Sequence, residues 1–121
     1  MELRITDSEW KLMECLWEEG PLTQARLMKL LKEDWNKNTV HTFLSRLGKK
    51  GLVEVNKGVQ PQEYRALVSR EVCIRQEEQN FLDKIFRGSA SRLVTSFVKQ
   101  GALTPEERRS LRQLLEEMGD D

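Results

Sequence analysis

Histidine is nearly missing from this chain. A single one, His41, stands among 121 residues, with only two cysteines, Cys15 and Cys73. A zinc site needs several such ligands close together, and neither cysteine has a partner at ligand spacing. No metal centre and no cofactor is therefore expected. Two cysteines are also too few for a disulfide framework. Each lies in a helical pattern, Cys15 between apolar neighbours, and both are expected as reduced, mostly buried thiols. Long apolar runs are absent: none approaches the roughly 18 residues that cross a bilayer. No secretory leader pattern precedes the first helix, so a cytoplasmic chain is expected. Charge of one sign is not in excess either. The 20 basic and 20 acidic residues balance, which excludes coating nucleic acid by bulk charge but allows a local basic patch. Enzyme signatures are wanting: there is no Gly-x-Ser-x-Gly elbow, no phosphate loop and no histidine placed for a triad. The acid pairs Glu18-Glu19, Glu77-Glu78, Glu106-Glu107 and Glu116-Glu117 suit helix starts or solvated faces. The chain is not expected to be an enzyme.

What is present is mainly helix. Thr6 and Glu9 make a capping box. Trp10, Met13, Leu16 and Trp17 then recur at helical spacing until Gly20-Pro21 stops the pattern. Thr23 caps a second helix, with Leu27, Leu30 and Leu31 inward and Trp35 closing it. The spacing of the three tryptophans assigns them to core packing rather than to stacking on single-stranded bases. Asn36 caps a third helix, which Gly51 ends. The period then shortens: Leu52, Val53 and Val55 form a strand, Asn56-Lys57-Gly58 a turn, and residues 62–68 a returning strand. Tyr64 and Ala66 share one face of that strand, Arg65 and Leu67 the other. Three short helices and a hairpin make a winged helix-turn-helix, with the hairpin as its wing. The predicted fold is mainly α, with this domain at residues 1–68.

Three further amphipathic helices follow. Ser69 caps the first, whose apolar residues are Ile74, Phe81, Leu82, Ile85 and Phe86, and Gly88 breaks it. Leu93, Val94, Phe97 and Val98 stripe the second, which Gly101 ends. Thr104, Pro105 and Glu107 open the third, which carries Leu111, Leu114, Leu115 and Met118. These residues are few for an independent core, so the stripes are expected to be buried against a second copy. Residues 69–121 thus read as a three-helix dimerisation module, with a frayed tail over residues 118–121.

The third helix is the most informative segment. At about 100° per residue, Val40, Phe43, Leu44 and Leu47 form one stripe. Asn38, Thr39, His41, Thr42, Ser45, Arg46 and Lys49 form the other, and it has no acid. From Asn36 to Gly58 the bases Lys37, Arg46, Lys49, Lys50 and Lys57 meet one acid, Glu54, whereas from Ser69 onward nine bases meet ten acids. Amide, hydroxyl, imidazole, guanidinium and ammonium groups on one ridge suit base edges and phosphates. A solvated helix usually mixes glutamate with lysine.

The order Ile5-Thr-Asp-Ser-Glu-Trp-Lys-Leu-Met13, Leu16 to Thr23, Thr39 to Leu47, Lys49 to Leu52, Tyr64 to Val68, Phe81 to Gly88, Leu93 to Phe97 and Leu103 to Leu115 resembles the BlaI/MecI/CopY family of penicillinase-type repressors over nearly the whole chain. The resemblance implies a homodimeric winged-helix repressor on inverted-repeat operators with TACA/TGTA half-site cores. It also implies that members acting in antibiotic resistance are relieved by cleavage, triggered by a membrane-bound sensor metalloprotease, at an Asn-Phe bond; Asn80-Phe81 stands at that place. Copper-responsive members carry C-terminal Cys-x-Cys motifs, which this chain lacks. Three departures lower the local positive charge. Lys37-Asn38-Thr39 replaces the usual Pro-Lys-Thr, His41 stands where many members have Arg or Lys, and the wing tip from Gly58 to Gln62 has no charged residue.

The residues expected to touch double-stranded DNA are Asn38, Thr39, His41, Thr42, Arg46, Lys49, Lys50 and Lys57. Arg46 is placed for a base edge or phosphate, the threonines for a thymine methyl or phosphate, Asn38 for adenine or for a backbone group of its own first turn, and the lysines for phosphates. His41 reads as a DNA-facing or solvated imidazole. The expected function is a sequence-specific, homodimeric transcriptional repressor. The competing reading is a winged helix that binds only proteins, as an adaptor.

Overall fold

A computed structural model of the chain describes residues 4–119; the part of the expected fraying that falls on Asp120 and Asp121 lies outside them. The chain divides into two compact units, Met1–Glu77 and Glu78–Asp121.

The first unit begins with α1 (Asp7–Glu19), whose capping box is complete. Thr6 Oγ1 accepts the Glu9 amide at 3.2 Å, and Glu9 Oε1 accepts the Thr6 amide at 2.9 Å. Two donors that the helix start leaves without partners are thereby satisfied. At the other end the Gly20 amide donates to the Leu16 carbonyl with φ +81, a conformation costly for residues that carry a Cβ. A short strand β1 (Leu22–Thr23) leads into α2 (Gln24–Leu30), capped by the Thr23 hydroxyl. Then come α3 (Lys37–Lys49), β2 (Val53–Asn56) and β3 (Glu63–Ala66).

The winged-helix expectation holds, with two corrections. Trp35 does not close the second helix: α2 ends at Leu30, and Leu31 is already extended. Lys32, Glu33 and Asp34 give a further turn no apolar face to bury, and Asn36 must itself be extended to cap α3. Trp35 instead packs edge-on against Phe43, with ring centroids 5.1 Å apart. The hairpin also has a third strand. In the order β1-β3-β2, Leu22 pairs with Tyr64 and Thr23 with Glu63, while β2 pairs with β3 from Val53↔Ala66 to Asn56↔Glu63. Both pairings are antiparallel.

Leu12, Met13 and Leu16 of α1, Leu27 of α2, Val40, Leu44 and Leu47 of α3, and Leu52 and Val53 at the wing's root are buried together. Burying one such side chain contributes about 1.5–3 kcal/mol. Trp10 and Trp17 flank this core, in edge contact at 5.3 Å. The Trp17 indole donates to the Val68 carbonyl at 2.9 Å, which ties the end of the hairpin back to α1.

The helix α4 (Arg70–Phe86) starts on the Ser69 hydroxyl, which accepts the Val72 amide. The division between the units falls inside α4, beyond the boundary expected at 68/69. Its first turns belong with the winged helix because Cys73 is buried in that core and Arg70 pairs with Glu14 at 3.2 Å. The second unit continues with α5 (Ala90–Lys99) and α6 (Pro105–Met118), the latter opened by a complete capping box between Thr104 and Glu107 with Pro105 at its first turn. No described residue from 78 to 119 is buried in the single chain. No helix among the described residues is long and apolar enough to cross a membrane.

Candidate nucleic-acid interface

The helix α3 is held as a presenting element from both ends. Asn36 Oδ1 accepts the Thr39 amide at 2.9 Å, and Gln24 Nε2, at the start of α2, donates to the Lys37 carbonyl at 2.8 Å. At the far end the Leu52 amide donates to the Leu47 carbonyl at 3.0 Å and the Leu67 amide to the Leu52 carbonyl at 2.9 Å. The wing is thus stitched to the helix it flanks. With Val40, Leu44 and Leu47 buried, the opposite ridge is forced outward.

That ridge presents Asn38, His41, Thr42, Ser45, Arg46 and Lys49, all exposed, with Thr39 half-buried. Among the described residues the side chains of His41, Arg46, Lys49 and Lys57 carry no ion pair or hydrogen bond. Thr42 differs: its hydroxyl donates to the Asn38 carbonyl one turn earlier, at 2.9 Å. That proton is committed to the helix, so Thr42 offers outward only its methyl group and oxygen lone pairs.

The structure brings Lys57 and His41 together across a groove of about 480 Å³ between α3 and the wing, lined also by Leu44, Ser45, Gly48, Val53, Val55, Gln62 and Tyr64. Gln62 and Tyr64 escape a reading of the sequence for cations, since only the hairpin register turns them toward α3. Asn56 Oδ1 accepts the Gly58 amide at 2.9 Å and shapes the turn that carries Lys57.

Lys50, unlike Lys49, is paired within the fold. Its ammonium lies 2.6 Å from Glu9 Oε1 and 2.7 Å from the Arg4 carbonyl. It serves as counterion to a carboxylate with no exposed surface, while the lysine side chain itself stays partly exposed. Burial alone pushes the Glu9 carboxyl up. The hydrogen bonds from Lys50 and the Thr6 amide, with the ammonium charge, outweigh it and hold the group below the ordinary carboxylate value. Glu9 Oε2 is buried without a partner.

The remaining predicted residues lie elsewhere. Asn80 and Phe81 sit within α4, the former half-buried and the latter 48% exposed. Ile74, Leu82, Phe86, Leu93 and Leu111 are half-buried, whereas Phe81, Ile85, Val94, Phe97, Leu114 and Leu115 are exposed. Both cysteines are free thiols. Burial pushes both up in pKa, helped by Glu18, Glu19 and Glu14 around Cys15 and by Glu77 near Cys73, so neither is an activated thiolate. No cluster among the described residues could hold a metal ion.

Comparison with known proteins agrees with this arrangement. Among solved structures, a MarR family protein from Bacillus stearothermophilus superposes with TM-score 0.51 at 23% identity, over 98% of this chain and 78% of that one. YusO from Bacillus subtilis does so with TM-score 0.52 at 17% identity, over 94% and 74%. A mutant MarR from E. coli complexed with operator DNA gives 0.51 at 20% identity, over 96% and 76%. These likenesses show the winged-helix fold. By sequence, the methicillin resistance regulatory protein MecI of Staphylococcus aureus (strain N315) is 27% identical over 113 residues, 92% of each chain. The penicillinase repressor of Bacillus licheniformis is 28% identical over 116 residues, 94% of this chain and 91% of its own. The family model described as penicillinase repressor matches residues 5–117, and the chain belongs to that family of DNA-binding transcriptional repressors.

Proposed function

We propose that this protein represses transcription as a homodimer seated on an inverted-repeat operator, with one α3 in the major groove of each half-site and the wings against the flanking backbone. The observation that carries the reading is the ridge of α3: six exposed polar or cationic side chains, no acid anywhere in the helix, and no internal partner for Arg46 or Lys49. Arg46 is the base-edge or phosphate residue, Lys49 and Lys57 bind phosphates, and Asn38, Thr39 and Thr42 supply amide and methyl contacts. A neighbour of the same fold has been solved complexed with operator DNA, which supports this use of the scaffold.

Dimerisation is supported by the second unit. In the single chain Ile85 is 54%, Leu115 60% and Met118 73% exposed, and a groove lined by Val98, Leu103, Leu111 and Leu115, rimmed by Arg108, Arg112 and Glu116, stays open. Helices with so little buried need a partner surface. Pairing also sets the half-site spacing that a palindromic operator requires.

Relief of repression is assigned to cleavage between Asn80 and Phe81 by a membrane-bound sensor metalloprotease. The bond lies within a helix, so cutting needs local opening of α4. Mass spectrometry after incubation with the cognate sensor shows fragments ending at Asn80 if this route operates; an intact chain under inducing conditions rejects it.

The central test is binding. Fluorescence anisotropy with an inverted-repeat duplex bearing TACA/TGTA half-sites is expected to show a preference over a scrambled duplex. Joint reversal of Arg46→Glu and Lys49→Glu is expected to abolish it. Retention of DNA by the doubly reversed protein points instead to an adaptor that binds only proteins.

A further inference from the structure

The groove between α3 and the wing has a chemical asymmetry. His41 and Ser45 line it from α3, Lys57 from the hairpin turn, and Gln62 and Tyr64 from the returning strand, over a floor of Leu44, Gly48, Val53 and Val55. No acid lines it, although the hairpin carries two. Strand alternation explains this. Val53 and Val55 face α3, so Glu54 turns to the opposite face, where it pairs with Arg65 at 2.7 Å. Gln62 and Tyr64 face α3, so Glu63 turns away as well. The other elements packed on α3, namely α1 and α2, lie on its apolar side and contribute no residue to the groove. On α3 itself the charged residues are Lys37, Arg46 and Lys49, all cations. The imidazole of His41 therefore faces one cation and neutral donors, with no carboxylate to neutralise a proton placed on it.

We propose that this groove is the seat of one operator backbone phosphate in each half-site, gripped by His41 and Lys57 with Ser45, Gln62 and Tyr64 as neutral donors, and that a proton is taken up on His41 when DNA binds. The inference rests on the DNA-binding reading above and deepens it by adding three contact residues and a proton linkage. In the free protein no anion lines the groove beside His41 and Lys57. A phosphodiester entering it supplies one, and with it a counterion for imidazolium. The sign follows: a phosphodiester seated beside His41 favours its protonated form, so affinity rises as pH falls. His41 thereby makes conditional a contact that a lysine or arginine at the same place would make at every pH.

The test uses the full chain and the inverted-repeat duplex, with affinity measured by anisotropy at about pH 6 and about pH 8, where imidazole changes charge. The unsubstituted protein is expected to bind roughly three- to tenfold more tightly per protomer at the lower pH, the change that up to one unit of pKa shift produces. His41→Gln is expected to remove the pH dependence at the weaker level. His41→Lys is expected to remove it at the tighter level, a rescue that a purely structural role would not give. A duplex with a single neutral methylphosphonate per half-site is expected to remove the dependence at one phosphate position only. Because His41 is exposed, the variants are expected to melt with the parent, which a thermal scan checks. Equal pH dependence in the parent and His41→Gln overturns the proposal while leaving DNA binding intact. Pre-emption of the groove by millimolar inorganic phosphate, with no effect of any methylphosphonate, overturns it in favour of a small-anion site. Failure of the folded parent to bind any duplex at either pH sinks the DNA-binding reading and this inference with it.

Discussion

The Lys50 ammonium, at the cap that ends α3, lies 2.6 Å from Oε1 of Glu9, a carboxylate buried in the first turn of α1. Two residues 41 positions apart thus fasten the end of α3 to the helix behind it. The same carboxylate oxygen also closes the capping box on the Thr6 amide. One side chain therefore orders the start of α1 and ties it to the end of α3.

Removing Lys50 strands that carboxylate. Lys50→Met is expected to destabilise the fold by roughly 2–3 kcal/mol, toward the low end for a broken buried pair because the lysine is partly exposed. The double variant Glu9→Leu with Lys50→Met is expected to recover most of that loss. Urea unfolding followed by tryptophan fluorescence measures both. A Lys50→Met protein as stable as its parent contradicts the pairing.

Acid should reveal the same interaction. The folded pKa of Glu9 is depressed, so its contribution to stability is fully present above the unfolded carboxylate value. It is lost as pH falls through the lower folded value. The urea midpoint of the parent is expected to drop more steeply below about pH 4.5 than that of Glu9→Gln. Parallel profiles for the two proteins would remove Glu9 from the acid response.

The ridge makes separable predictions at two neighbouring positions. Lys49→Gln is expected to weaken binding to every duplex alike and to reduce the slope of log affinity against log salt by about one per protomer. Arg46→Ala is expected to cost about 1–3 kcal/mol and, if it touches a base, to narrow the gap between operator and scrambled duplex. Lys50→Gln, by contrast, is expected to leave the salt slope unchanged, since that charge is engaged by Glu9.

Charging the second unit tests dimerisation. Phe97 is 46% and Leu115 60% exposed in the single chain. Phe97→Glu with Leu115→Glu is expected to give monomers by sedimentation at micromolar concentration and to weaken operator binding by an order of magnitude or more, because two half-sites no longer bind as one. The melting of the winged helix is expected to persist. An unshifted dimer would place the interface elsewhere.

Much of this architecture was legible in residue order because it is written in short-range chemistry. Capping residues Thr6, Thr23, Asn36, Ser69 and Thr104 each mark a helix start that the structure contains. The split of α3 into an apolar and a polar stripe follows from 3.6 residues per turn and needs no tertiary information. The strand β1 was not legible, since two residues carry no period. The end of α2 at Leu30 was not legible because Leu31 and Trp35 still pack on the core from an extended segment, so apolar spacing alone does not mark where the helix stops.

Local order in the chain settled which segments are helical, which is the wing, and which helix face lacks acids, for those properties depend on neighbours within a turn or two. Only packing decided which cations keep their charge available. Lys49 and Lys50 are adjacent and alike in sequence, yet one is exposed on the ridge and the other is bound to Glu9. Only the strand register turned Gln62 and Tyr64 toward His41 and carried Glu54 and Glu63 away. The reason is that electrostatic roles depend on distances between segments remote along the chain, and those distances exist only once the core of α1, α3 and the wing has closed.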